Sequence, residues 1–242
     1  ILAQLALGLA IAHALRRGPR ARQFGLAIAA FALLAVGVAL TAMRTVLVAL
    51  ALGAVAVALR AVRGRARSLV LALAVLVIAA GAFSVWRTRD AGALLLEDHS
   101  ASLRRQVARV GLARVPTHPV FGHGMDAVKM HWTEWGFPGT DMIHLHSTPL
   151  QVAFDRGLPA LVFWLWLMLA CWRTAARAEK LFRDTGDAST HGLLLGATGA
   201  VAGFFLSSLV NYNFGDAEVA LVFWWLMGTV AALSAEEGKR RA

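Results

Sequence analysis

Two histidines one residue apart, His144 and His146, frame the apolar Leu145 just ahead of a long apolar run. An imidazole has an unperturbed pKa of about 6.5, so either ring can take a proton at neutral pH and act as a general base. The same pair also suits a plainer role, as polar groups that cap a helix at a membrane edge. A metal site built from His131, Asp141, His144 and His146 is a third reading, but their spacing matches no compact zinc pattern. Arg44 stands between two apolar runs, where an arginine is either a snorkelling anchor or an anion site. A guanidinium binds phosphate oxygens through a forked pair of hydrogen bonds. Arg104, with Arg105 beside it, adds a second such group. Arginines and a histidine pair around one membrane-edge cavity would hold an anion and deprotonate a hydroxyl.

The elements that position these residues are mostly apolar. The chain has 242 residues, of which 58% are hydrophobic and 16% charged, a composition of the integral membrane class. Candidate spans are Leu2–Leu15, Gln23–Thr41, Val46–Leu59, Ser68–Trp86, Leu158–Trp172, Gly192–Val210 and Ala217–Ala232. The net charge of +10 is unevenly placed. Fifteen of the 24 Lys and Arg lie in Arg16–Arg22, Arg60–Arg67, Arg173–Arg183 and Lys239–Arg241, which alternate with the spans and so share one side. By the positive-inside rule that side is the cytoplasm, with the C-terminus on it. The other nine basic residues face nine acids, so the outer side is near neutral. The charge therefore reports topology and contact with anionic membrane lipids, and no nucleic-acid partner is expected. Cys171 is the single cysteine and forms no intrachain disulfide.

Three segments follow: transmembrane helices over 1–86, an outer loop over 87–157 and C-terminal spans over 158–242. Within the loop, Ser100–Val115 is expected to be helical, with Ser100 or Ser102 as N-cap and Pro116 as its stop. Leu103, Val107 and Val110 share one face of that helix, Arg105 and Arg109 lie opposite, and Arg104 falls beside the apolar face. His118–Gly124 is a glycine-rich turn. A short helix after His146 tolerates Pro149 in its first turn, and Gly157 with Pro159 breaks it. The Trp residues 86, 132, 135, 164 and 172 suit an interfacial belt, and Trp132, Trp135 and Phe137 suit sugar stacking equally well. Asn211–Asp216 reads as a tight turn, although Tyr212 or Asp216 can line a cavity.

The outer compartment holds no nucleotide donors, so an enzyme there needs a substrate that carries its own leaving group. A glycan on a polyprenyl pyrophosphate does so. At these residues the chain resembles the O-antigen ligase / O-antigen polymerase superfamily of bacterial inner-membrane proteins. Met43-Arg44-Thr45 resembles the family's Ser-Arg-Gly/Thr turn. Arg104 lies at the family's spacing ahead of His118-Pro119-Val120-Phe121-Gly122-His123-Gly124, which resembles its "hP-x-x-G-x-G" turn. His144-Leu145-His146-Ser147-Thr148-Pro149-Leu150-Gln151, then Asp155-Arg156-Gly157-Leu158-Pro159, resembles the closing "H-x-H-N-x-x-L-q" and "G-l-x-G" elements. Met43, Ser147 and Ala160 depart from the usual Ser, Asn and Gly. The likeness covers roughly residues 25–235.

The resemblance implies an all-α, polytopic transmembrane bundle of the membrane glycosyltransferase C type, GT-C-like, with about seven spans in this chain. It implies one large periplasmic loop containing short helices. It also implies that Arg44 and Arg104, with Arg105 adjacent, bind the pyrophosphate. His146 is then the base with His144 beside it, and no metal, nucleotide or other cofactor takes part. The donor would be an undecaprenyl-pyrophosphate-linked glycan. The acceptor would be a hydroxyl of a lipid A core, a glycan or a protein. A transporter or flippase for such lipids is the alternative. A transporter would place charge near the middle of broken spans, and the sequence shows none there. The chain begins inside an apolar run at Ile1, which predicts that the family's first spans precede it.

Overall fold

A computed structural model describes residues 1–18, 22–41, 43–62, 64, 94–139, 144–184 and 187–241. Among these the regular structure is all helical. The helices are α1 (Leu2–Arg17), α2 (Arg22–Leu40), α3 (Arg44–Ala61), α4 (Leu94–Arg114), α5 (Ala127–Met130), α6 (Thr148–Phe182), α7 (Ala188–Ser208) and α8 (Ala217–Arg241). The chain divides into two compact units. One comprises 1–72, 168–207 and 216–242, and the other 73–167 and 208–215.

Among the described residues four helices are long and apolar enough to cross a membrane: Arg22–Leu40, Thr148–Phe182, Ala188–Ser208 and Ala217–Glu236. The molecule is a helical membrane protein. Six of the seven expected spans fall on described helices, and two of these six are short. The expected span Leu2–Leu15 becomes α1, whose 16 residues reach about 24 Å at 1.5 Å per residue, short of a core of about 30 Å. The span Val46–Leu59 becomes α3, of 18 residues, whose apolar part Thr45–Ala61 is again short. Ser68–Trp86 lies outside the described residues.

The first unit is held by small residues and by one charged cluster. A Cβ on Gly8 of α1 would collide with the backbone of Gly192 and Gly196 of α7, and one on Gly199 would lie 2.6 Å from Gly53 O of α3. Such direct backbone approach is how helices associate where lipid removes the hydrophobic drive. Most of the basic segment Arg173–Arg183 forms the end of α6, which runs on to Phe182. Glu179 there is fully buried. It accepts hydrogen bonds from Arg60, from Arg183 at 2.9 Å and from His191 at 3.1 Å. Arg16 of α1 donates to Phe182 O at 3.2 Å. The C-terminal ends of α1, α3 and α6 therefore meet at one place.

The second unit has its own core, formed by Val107 of α4, Val128, Trp132, Phe137, Leu145 and Phe154. Its helix α4 starts at Leu94, ahead of the expected start, so Ser100 and Ser102 lie inside it and not at its N-cap. The strong helix formers Leu94–Leu96 and Glu97 extend it backward. Val115–Thr117 is a single 3₁₀ turn in which Pro116 ends α4 as expected. Trp132 and Phe137 stack on each other at 4.6 Å inside the core, and Trp164 is buried too. These side chains are packing groups, which removes them from the expected belt and sugar platform.

Candidate functional site

Leu145 is the anchor of the histidine pair. Its side chain is buried and packs on Gly111 of α4, where an added Cβ would stand 2.9 Å from Leu145 Cδ1. Its amide donates to Gln151 Oε1 at 2.6 Å, and Gln151 Nε2 donates to the Asp155 carboxylate at 2.9 and 3.0 Å. The backbone donor at Leu145 forces the amide of Gln151 to turn its oxygen that way and its nitrogen toward Asp155. Gln151 and Asp155 are both buried and one turn apart on α6. With Leu145 pinned inward, His144 and His146 on either side of it stay half-buried.

The two imidazoles meet edge to face, with ring centroids 4.5 Å apart. His146 has φ 52°, a left-handed conformation uncommon outside glycine and asparagine. Its pKa is lowered from 6.5 to about 4, first by burial, then by His144 and then by the cation of Arg104. His146 is therefore a neutral imidazole at pH 7, able to accept a proton. The Arg104 side chain is half-buried, whereas Arg105 and Arg109 are exposed, as the helical periodicity requires.

The structure thus brings together His144, His146 and Arg104. Arg105 lies on the wetter side of the same helix. Arg44 belongs to the first unit, where it is the first residue of α3. His131 is engaged elsewhere, 2.6 Å from Glu134 and stacked on Trp135 at 4.5 Å. Asp141 lies outside the described residues. Among the described residues no group of three or more His, Cys, Asp or Glu is placed to hold a metal ion.

Tyr212, read from sequence as part of a tight turn that can also line a cavity, joins the pair: its ring centroid is 5.6 Å from that of His144. Its loop is stapled to the start of α6. Thr148 donates from N and from Oγ1 to Asn211 O, at 3.0 and 2.8 Å, and Thr148 Oγ1 accepts from Asn213 N at 3.1 Å. Tyr212 also lines an apolar cavity of about 580 Å³ with Val152, Pro159, Phe163 and Trp164, and Arg156 on its wall.

The glycine-rich turn and the break in α6 form one joint. Gly157 has φ 86° and ψ 174°, so α6 is two helices meeting at that residue. The break leaves backbone groups without helical partners, and the turn supplies them. His123 N donates to Phe154 O at 2.8 Å, Gly124 N donates to Asp155 O at 3.0 Å, and Leu158 N donates to Pro119 O at 2.7 Å. A side chain at Gly122 would strike Asp155 and Arg156, and one at Gly157 would strike Val120 O. His123 fills the joint, stacked on Phe154 at 4.6 Å, and its Nε2 donates to Arg114 O at 3.0 Å.

A family model described as O-antigen ligase matches residues 29–165, more than half of the chain. The chain belongs to the O-antigen ligase family. No curated protein matches it. The matched stretch contains Arg44, Arg104, Arg105, His144 and His146. For an O-antigen ligase family member, the general activity is glycosyl transfer in a membrane, of the ligase or polymerase kind. Gln151, Asp155 and Tyr212 were open to detection only in part: Gln151 and Asp155 by their i,i+4 spacing, Tyr212 by nothing but its place in an outer turn.

Proposed function

We propose that this protein transfers a glycan from an undecaprenyl-pyrophosphate donor to an acceptor hydroxyl, with His146 as general base and no metal or nucleotide. His146 takes the hydroxyl proton. The freed oxygen forms a bond to the anomeric carbon, the bond from that carbon to the pyrophosphate oxygen breaks, and undecaprenyl pyrophosphate leaves. Arg104 and Arg44, with Arg105 nearby, stabilise the charge that develops on the departing group. His144 orients His146 or the acceptor. The observation that carries this reading is the half-buried His146 in ring contact with His144 and within electrostatic reach of Arg104, inside the segment matched to the family.

The same reading places the protein in the bacterial inner membrane. Segment 1–86 is helical, 87–157 is a periplasmic loop, 158–242 is helical, and the C-terminus is cytoplasmic. The meeting of Arg16, Arg60 and Arg183 at one end of the first unit supports a common side for three of the four basic segments. The test is turnover by purified protein in lipid nanodiscs supplied with an undecaprenyl-pyrophosphate oligosaccharide and a hydroxyl acceptor, in the presence of EDTA. Release of undecaprenyl pyrophosphate should match glycan gained by the acceptor. His146→Ala should lower it roughly 100- to 10,000-fold. Activity that vanishes in EDTA and returns with Zn²⁺ or Mn²⁺ would refute the assignment.

A further inference from the structure

We propose that the turn Pro119–Met125 is a wedge that dips into the bilayer, with Val120, Phe121 and Met125 among the lipid acyl chains. Phe121 is 86% exposed, and Val120 and Met125 are exposed beside it. A phenylalanine left open to water in this way is covered by none of the described residues of the second unit.

Three observations name the bilayer as its cover. The first is continuity. Pro119 O accepts from Leu158 N, and Leu158 starts the apolar part of α6, whose exposed side chains Leu158, Val162, Phe163 and Trp166 face outward from the same unit. The turn therefore sits at the end of a surface that lipid already covers. The second is the backbone. Polar main-chain groups enter hydrocarbon only when paired. Pro119 has no N–H to pair, the N–H groups of Gly122, His123 and Gly124 donate to His118 O, Phe154 O and Asp155 O, and those of Val120, Phe121 and Met125 make no backbone hydrogen bond among the described residues, which keeps the turn at the headgroup end of the acyl chains. The third is charge. From His118 to Met125 there is no Asp, Glu, Lys or Arg. The exposed Arg156 reaches back along Met125, with Nη2 3.6 Å from Sδ, as a snorkelling arginine does beneath phosphate headgroups.

The joint that carries the wedge lies within one helical turn of Gln151 and Asp155, which hold the histidine pair. The wedge thereby sets the height of that pair against the membrane surface. The inference concerns lipid contact only and stands whether or not the protein transfers a glycan.

The test places a single environment-sensitive nitrobenzoxadiazole dye on Phe121→Cys in the full chain, with Cys171→Ala removing the native thiol. The protein is reconstituted into phosphatidylethanolamine–phosphatidylglycerol vesicles. Met125→Cys serves as a second position on the turn, and the exposed Thr133→Cys as the reference. At 121 and 125 the emission should be blue-shifted relative to 133. It should fall about twofold when the lipids carry a nitroxide near the headgroup end of the acyl chain, the depth reached by interfacial segments. Aqueous iodide should quench only at 133. Iodide quenching at 121 and 125 equal to that at 133 would overturn the proposal. So would a blue shift that the lipid-borne nitroxide leaves unquenched, since the cover would then be protein.

Discussion

At the scale of single residues, the proposed base is His146, and its protonation decides whether it can accept a proton. Burial, His144 and Arg104 all disfavour the imidazolium, and the pKa falls to about 4. A base that must be neutral then stays competent down to that pH. The rate should hold as pH drops through 6.5 and decline only near 4. In Arg104→Ala the smallest of the three influences is lost, so the acid limb should move upward part of the way to 6.5. A pH profile of turnover checks this. Stability follows the same sign. The unfolded chain takes up the proton near 6.5 and the folded one near 4, so His146 costs stability as pH falls through that window and nothing further below it. The arginines make a separate prediction. Arg44→Ala and Arg104→Ala should each lower turnover about 10- to 100-fold, the worth of one charge-assisted contact of about 1.5–3 kcal/mol. Arg105→Ala, on the exposed side, should have little effect. Lysine should rescue poorly at 104, because the fork is lost with the guanidinium.

At the scale of elements, the joint between the 118–124 turn and the Gly157 break fixes where α6 changes direction. Gly157→Ala meets both a left-handed φ and Val120 O. The backbone term alone costs about 1–2 kcal/mol, and the three joint hydrogen bonds come under strain as well. The expected result is a lower unfolding temperature in detergent and lost activity, read by thermal denaturation beside a turnover assay. Much of this element was legible in the sequence. Pro149 in a first turn, the break at Gly157, the stop at Pro116 and the two faces of α4 follow from local rules, and all are present. The docking of the turn onto the break was not legible, because it joins residues some 35 positions apart through backbone atoms that carry no side-chain signature. The buried relay from Leu145 through Gln151 to Asp155 was hidden for the same reason. An amide and a carboxylate one turn apart on an apolar helix look alike whether they face water or a core. The start of α4 was misplaced because two serines offered caps that the preceding leucines outweigh.

At the scale of the whole molecule, two predictions concern how the chain sits and what holds it. Thr133→Cys and Ser189→Cys, both at exposed positions, should react differently with an impermeant thiol reagent in intact spheroplasts. The expected pattern is strong labelling at 133 and little at 189, and the reverse would invert the topology. Glu179→Gln should leave Arg60 and Arg183 without their buried counter-charge at the meeting of α3 and α6. The expected loss is on the order of 3 kcal/mol, read as a lower unfolding temperature, with turnover per folded molecule retained. The joint also constrains how such proteins can be recombined. A chimera whose crossover falls between Gly124 and Phe154 takes the turn from one parent and the helix break from the other. Three hydrogen bonds and two side-chain-free contacts would then have to match by chance between unrelated partners. Exchanges that keep 118–158 as one cassette preserve the joint and the Leu145–Gln151–Asp155 relay, and libraries of hybrid transferases should place their crossovers on either side of it.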